Sequence, residues 1–494
     1  MKRIITIISV FTALAAALCS CDEWLEATST TSINADDLFE TRGGFTDALS
    51  GIYMLLGDSY AYGGSLSFYD VDLAAYPFNY VAQTARKAVQ EHVYTNNSVK
   101  KSIKNSWTQV YNIIANINLE LEQLEANRDV ITTEFEYNLL KGELLGLRAY
   151  LHFDLMRLYG VADPTGQNAS KVTIPYVLTL DKEPTAQLSY EKTIELLMDD
   201  IDTAVSCLES SDPLAGVISD DDFDSINQDE YWSNRQKHFN YYAALALKAR
   251  IMQWQYKFDE AAQYAQKVID GALGSGFLKW VDTDIAISEA TSYAKDRTFS
   301  TEQIFSLEIT NLYVLCSSIF AGEMTNEGFV LNDTFVDNVL YVRLDPETGS
   351  LAGSEDLRGP AFNLSLTTTG YYGTKFMVVM GDYRNRFPMM RISEMYYILA
   401  ESLIEKGDNE GALAVLDEVR RNRAISDTYP SSASAEDELM KEYYREFQNE
   451  GKLIYWLKHK KVESSLNSAF TLTYRDLTFP YPDDEINYGR VQEL

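Results

Sequence analysis

Near the start of this 494-residue chain the stretch Leu-Cys-Ser-Cys places Cys19 and Cys21 two residues apart, directly before Asp22 and Glu23. A Cys-x-Cys pair can serve as a redox couple or as half of a metal site, but no other Cys or His lies near enough in sequence to complete one locally. His92, His152, His238 and His459 show no HExxH or HxxH spacing, and neither a GxxxxGK loop nor a GxSxG elbow occurs. A glycosidase needs two carboxylates facing one sugar, and among 73 acids the sequence neither picks out nor excludes such a pair. The run SDDDFDSINQDE sets Asp220, Asp222 and Asp224 at the first, third and fifth positions of a calcium loop, but it lacks the glycine at six and the glutamate at twelve. A solvated acidic loop is the expectation there, with calcium as the alternative; no other cofactor is expected. The segment FYDVDLAAYPFNYVAQ presents Tyr76, Phe78 and Tyr80 in alternation beside Asn79. Sugars lay a C–H face on an aromatic ring while their hydroxyls need short polar partners, so this pattern suits saccharide binding. One face of a buried strand would read the same way. A second binding arm is expected from NLYVLCSSIFAGEMTNEGF, through Tyr313, Asn326 and Phe329.

What precedes the cysteines decides their role. Met1, Lys2 and Arg3 give a basic start, and Ile4 to Leu18 are apolar apart from Thr6, Ser9 and Thr12. This is a secretory signal, too short at about fifteen residues to span a bilayer. Leu18 and Ser20 before Cys21 resemble the lipobox of bacterial lipoproteins, which implies cleavage before Cys21 and acylation of that residue. Acyl chains at ~0.8 kcal/mol per buried methylene would then anchor the mature chain, not thread it through the membrane. Asp22 and Glu23 resemble the signal that sends such lipoproteins to the outer face of the outer membrane; a periplasm-facing lipoprotein is the alternative.

Only Cys207 and Cys316 remain after Cys21, so an apolar core and not disulfides must stabilise the chain. With 46% apolar residues it can build one. Forty-two Lys plus Arg against 73 Asp plus Glu leave a net charge of −31, which repels nucleic acid and polyanions and favours neutral ligands.

These residues must be positioned by helices. In GELLGLRAYLHFDLMRLYG, Leu144, Leu147, Leu151, Leu155 and Leu158 recur at helical spacing, a leucine stripe on one face. WTQVYNIIANINLELEQL carries the same period and is expected to pair with it across the turn at residues 127 to 134. Further hairpins are expected at LSYEKTIELLMDDIDTAVSCL, at NYYAALALKARIMQWQYKFDEAAQYAQKVID and at RISEMYYILAESLIEKGDNEGALAVLDEVRRNRA. Units of about 30 to 34 residues with small alanines at the crossings predict a mainly α fold of tetratricopeptide-like hairpins. Two stretches lack a helical period: residues 59–100, and a Thr-, Ser- and Gly-rich insert at 272–388 with strand-like QIFSLEI and KFMVVM. The insert predicts a second, irregular lobe of loops, short helices and a few short strands on the ligand side. The organisation expected is a signal peptide at 1–20, an N-terminal helical region at 21–271, the lobe at 272–388 and a C-terminal helical region at 389–494.

These blocks, in this order behind the lipobox, resemble the SusD/RagB family of surface nutrient-binding lipoproteins. The segments that carry the resemblance are TRGGFTDALSGIYMLL, WTQVYNIIANIN, GELLGLRAYLHFDLMRLYG, RISEMYYILAESLIEKGDNEGALAVLDEVRRNRA, REFQNEGKLIYWLKHKK and FPYPDDEI. Where the family tends to have Glu-Gly-Arg, this chain has Glu450, Gly451 and Lys452. The resemblance implies capture of an oligosaccharide or polysaccharide at the cell surface and delivery to a SusC-like TonB-dependent barrel, without catalysis. A scaffold lipoprotein binding proteins or peptides, and a surface glycoside hydrolase, are the other readings. Lys458, Lys460 and Lys461 could form a local basic patch.

Overall fold

The structure, a computed structural model, describes residues 35–79, 85–160, 170–181, 183–287, 295–320, 329–341, 355–360, 362–378, 380–381, 383–467 and 470–491. Cys21, Tyr80 and Asn326 lie outside these residues.

At the centre runs the helix Glu134–Tyr159, capped by Thr133, whose hydroxyl accepts the Glu136 N–H at 3.3 Å. Every residue from Gly142 to Tyr159 is buried. The expected stripe is therefore part of a helix enclosed on all sides, and its polar residues are paired inside the protein. Arg148 forks onto Asp200 at 2.6 and 2.8 Å. His152 donates from Nδ1 to the Arg148 carbonyl and accepts the Val177 N–H at Nε2, while burial lowers its pKa to about 3 and keeps it neutral. Two glycines inside the helix let neighbours approach. A Cβ at Gly146 would sit 2.0 Å from the Phe239 ring and one at Gly142 2.7 Å from Leu208.

The helix Asn97–Ala126 turns back through Arg128–Val130 to pack on this central helix, the hairpin expected from the sequence. The segment 188–208, expected as a hairpin, is instead one helix, Tyr190–Ser211, capped by Ser189 and lying along the central helix. Asp200, in the middle of it, interrupts nothing, because it is the buried partner of Arg148. Two further hairpins follow: Tyr241–Trp254 with Phe258–Gly274, and Ile392–Glu405 with Asn409–Arg421. Phe258–Gly274 packs against Ile392–Glu405, so successive pairs stack. Neither pair buries its apolar face alone, which is the logic of a tetratricopeptide-like scaffold.

Strands are few and short. Val172–Pro175 pairs antiparallel with Ala186–Ser189, which takes Arg490–Val491 as a parallel neighbour. Within the insert, Gln303–Glu308 is a strand as expected, antiparallel to Arg386–Arg391. KFMVVM is not one: Lys375 and Phe376 form a turn, because the Lys375 ammonium is drawn inward to the Glu450 carboxylate at 2.8 Å. Val330–Leu331, Tyr371–Gly373 and Leu364–Leu366 make a third small sheet.

A buried ionic network ties this lobe to the scaffold. Glu446, fully enclosed on the helix Ala435–Glu446, accepts from Arg423 at 2.6 and 3.1 Å, from Arg358 at 3.1 Å and from Arg391. Arg423 also forks onto Glu302, Arg358 onto Asp356, and Arg391 reaches Glu450. Next to this network Gly451 adopts φ +68°, and a Cβ there would lie 2.6 Å from the Ser67 backbone, so the position admits only glycine. The basic patch at 458–461 does not form. Lys458 is buried, its ammonium donating to the Arg157 and Leu158 carbonyls at the end of the central helix, and Lys460 is ringed by Glu401, Glu405 and Glu436.

Candidate functional site

Three elements enclose a cleft of about 410 Å³: the compact turns at Ser59–Tyr69, the first turns of the helix Asn97–Ala126, and the helix Leu312–Phe320. The turns close on themselves through backbone bonds, among them Gly63 N–H to Asp58 O at 3.0 Å and Ser65 N–H to Ser59 O at 2.9 Å. They hold Tyr60 at the rim, 42% exposed, with Gly63 and Gly64 offering only backbone to the cleft. The Tyr69 ring forms another wall; its hydroxyl accepts from Arg86 Nε at 3.0 Å, and the guanidinium lies 5.4 Å from the ring centre.

The polar floor comes from the helix. Ser98, Lys101, Ser102 and Asn105 recur at i, i+3, i+4 and i+7 and share a face, while Val99, Ile103 and Trp107 point into the core. Ser102 donates to Asp70 Oδ2 at 2.6 Å, and Ser65 is also bonded to Asp70. Burial pushes the Asp70 carboxyl up, partly offset by these two serines. With its proton committed to Asp70, the Ser102 hydroxyl offers lone pairs to the cleft, and Asn105 and Lys101 supply donors. Leu315 and Ile319 close the far side.

Aromatic faces, acceptor hydroxyls and donors suit a polyhydroxylated ring. The described lining holds no carboxylate, imidazole or thiol; Asp70 stands behind the serines, 3% exposed.

The aromatic segment folds differently from the platform expected of it. Asp70–Ala75 is a helical turn, and Tyr76 leaves it pointing inward, fully buried, its hydroxyl donating to the Tyr444 carbonyl at 3.2 Å. Phe78, 5% exposed, bridges to Leu331 and packs edge-on to Phe329 at 5.0 Å. Phe329 is itself enclosed by Tyr69, Phe78 and Phe320. The two expected arms thus meet, but Tyr76, Phe78 and Phe329 are spent as core that joins them. Asn79 remains exposed, and Tyr313 is half-buried on the helix whose Leu315 and Ile319 line the cleft.

Asp220, Asp222 and Asp224 lie on a short helix, Asp220–Ile226, capped by Ser219. At 100° per residue a helix turns Asp222 to the face opposite Asp220 and Asp224, so the three do not converge on one ion, and its N-terminal dipole favours acids in the first turn without any metal. Among the described residues no group of three or more His, Cys, Asp or Glu could hold a metal, and no helix is long and apolar enough to cross a membrane.

Comparison with known proteins agrees with this architecture. A family model described as starch-binding and associating with the outer membrane matches residues 29–212, and the SusD family model matches residues 345–487. A SusD-like protein of Formosa agariphila is 26% identical over 149 residues, 29% of this chain and 28% of that protein's length. A crystal structure of a putative sugar-binding protein from Bacteroides vulgatus superposes with a TM-score of 0.67 at 19% identity, covering 93% of this chain and 98% of that one. A SusD superfamily protein from Bacteroides thetaiotaomicron superposes with a TM-score of 0.69 at 16% identity, covering 91% and 97%. With two family models matched in order along the chain and whole-length superposition on these structures, the protein belongs to the SusD/RagB family.

Proposed function

We propose that the protein is held at the outer face of the outer membrane by acylated Cys21, captures a neutral oligosaccharide or polysaccharide, and passes it unchanged to a SusC-like TonB-dependent barrel. The observation that carries the reading is the Tyr60–Tyr69 cleft, where exposed ring surface meets hydroxyls already oriented by a buried carboxylate. The outer-membrane association in the family model's description and the lipobox support the location. A charge of −31 supports a neutral ligand.

Tyr60→Ala tests the site. The ring is at the rim, so the melting temperature should stay put while calorimetric affinity for the cognate saccharide falls about tenfold to a hundredfold, the roughly 1 to 3 kcal/mol that a stacked ring contributes. Unchanged affinity in both Tyr60→Ala and Asn105→Ala would remove the cleft from the function. For the anchor, Cys21→Ala should move the protein from the membrane to the soluble fraction; retention in the membrane would refute acylation at that residue.

A further inference from the structure

A second cleft, of about 600 Å³, a size that suits a small ligand, is lined by the end of the Tyr69–Asn79 segment, at Pro77, Phe78 and Asn79. It shares no lining residue with the first, and it is the more polar of the two in composition. One wall is the end of the segment itself. Gln90, 6% exposed, donates from Nε2 to the Phe78 carbonyl and more weakly to that of Tyr76, fixing the backbone that presents Asn79. The opposite wall comes from the C-terminal part of the chain: Asn467, Phe470, Thr471 and Asp476. The half-buried Phe470 ring stands 6.3 Å from the His92 ring, tilted by 42°.

His92 is the unusual member. Its backbone is left-handed, φ +56°, a conformation that costs free energy in a non-glycine residue and collects where surrounding structure or function demands it. Its Nε2 lies 2.9 Å from the Ala74 carbonyl and so carries the proton, leaving Nδ1 as an acceptor. Burial lowers its pKa, opposed in part by the hydrogen bond to the Ala74 carbonyl and by Asp476. The charged groups on the described walls are Glu91 and Asp476, with no lysine or arginine among them. Such a cleft repels anions. Carboxylates, amides and a hydroxyl around a ring edge accept and donate to a ligand that has many hydroxyls and no charge.

Resting on the glycan-binding reading above, we propose that this second cleft is an independent saccharide site, so that one protein molecule holds two short neutral sugars at once. Calorimetry on the full soluble chain with maltotriose, mannotriose and xylotriose as probes tests it. The expected result is a stoichiometry of two for the trisaccharide that binds. Phe470→Ala should reduce it to one, leaving the affinity of the remaining site unchanged. Because Phe470 is half-buried, Asn79→Ala combined with Glu91→Ala, both exposed, provides a second variant that keeps the fold and should weaken the second site tenfold or more. Tyr60→Ala should remove the other site and spare this one. A stoichiometry of one that is lost in Tyr60→Ala and kept in both second-cleft variants overturns this proposal and leaves the first site standing. A stoichiometry of one with the opposite pattern keeps this proposal and refutes the first site. No binding of any of the three sugars by the wild type overturns both.

Discussion

Leu151→Asp is expected to abolish folding. Leu151 has no exposed surface and sits in the stretch of the central helix that is enclosed on every side. Truncating a buried leucine costs about 2 to 5 kcal/mol, and leaving an unpaired carboxyl among apolar neighbours adds several more. Against a net stability of about 5 to 15 kcal/mol the sum is decisive. Leu151→Met, which conserves volume, should cost less than about 1.5 kcal/mol. Circular dichroism and urea titration of the two variants provide the check. A Leu151→Asp protein with a wild-type midpoint would mean that the helix is not central.

Glu446→Ala is expected to produce a loss of similar size by a different route. The carboxylate is shared by Arg358, Arg391 and Arg423, all buried, and its removal takes one anionic partner from each of three guanidiniums away from water, leaving their charge less fully compensated. Breaking one partner out of a buried ion pair costs about 3 to 5 kcal/mol. Glu446→Gln keeps the shape and removes only the charge, so a comparable loss in both variants would assign the effect to electrostatics and not to a cavity. The same network predicts the response to acid. Burial alone would push Glu442 up, but Arg358 and Arg445 outweigh it and hold the carboxyl at about 2. Glu401 is likewise held at about 2, burial being outweighed chiefly by His459. Both lie below the unfolded value of about 4.3, so their stabilisation is complete above that pH and disappears as pH falls toward 2. Asp72 and Glu120, raised mainly by burial, act with the opposite sign at higher pH, where each takes up a proton more readily in the fold than in the open chain. His152, its pKa lowered by burial to about 3, opposes them below about pH 6.5, where the open chain takes up a proton that the fold does not, so the steepest fall of the urea midpoint is expected between about pH 4.3 and 2, where the paired carboxylates lose their charge as well. A midpoint that is flat down to pH 2.5 would contradict the network's role.

Helical periodicity was enough to place most of the scaffold, because amphipathic spacing survives in any helix that has a wet side. It failed where that condition failed. The central helix reads as a one-sided stripe, since Arg148, His152 and Asp154 look like a polar face until their buried partners are known. Asp200 looks like a break for the same reason. Glu442 and Glu446, four apart on one helix, and Glu450 beyond it carry no mark in the sequence that they are buried acids. Within the site, period-two aromatics cannot distinguish a ring that stacks on ligand from one that stacks on another ring, and Tyr76 and Phe78 proved to be the second kind. The residues that line the first cleft carried a weaker signal. Tyr60 stands in a Gly- and Ser-rich run without a period, and Ser98, Lys101, Ser102 and Asn105 match the ordinary outer face of a helix.

The ionic network also has a meaning in time. Arg358, Arg391 and Arg423 leave the ribosome before Glu446, the acid they share, and Gly451, whose N–H donates to Asp72 at 3.1 Å, follows later still. Contacts that join residue 72 to residue 451 and residue 302 to residue 423 wait for the later partner of each pair to be made. Such distant pairings make folding slow and late. Until nearly the last tenth of the polypeptide exists, Arg358, Arg391 and Arg423 lack the acid they share, although Asp356 and Glu302 already stand beside two of them. The last helices to be made thus supply the acid and the glycine that complete the join between the insert and the scaffold.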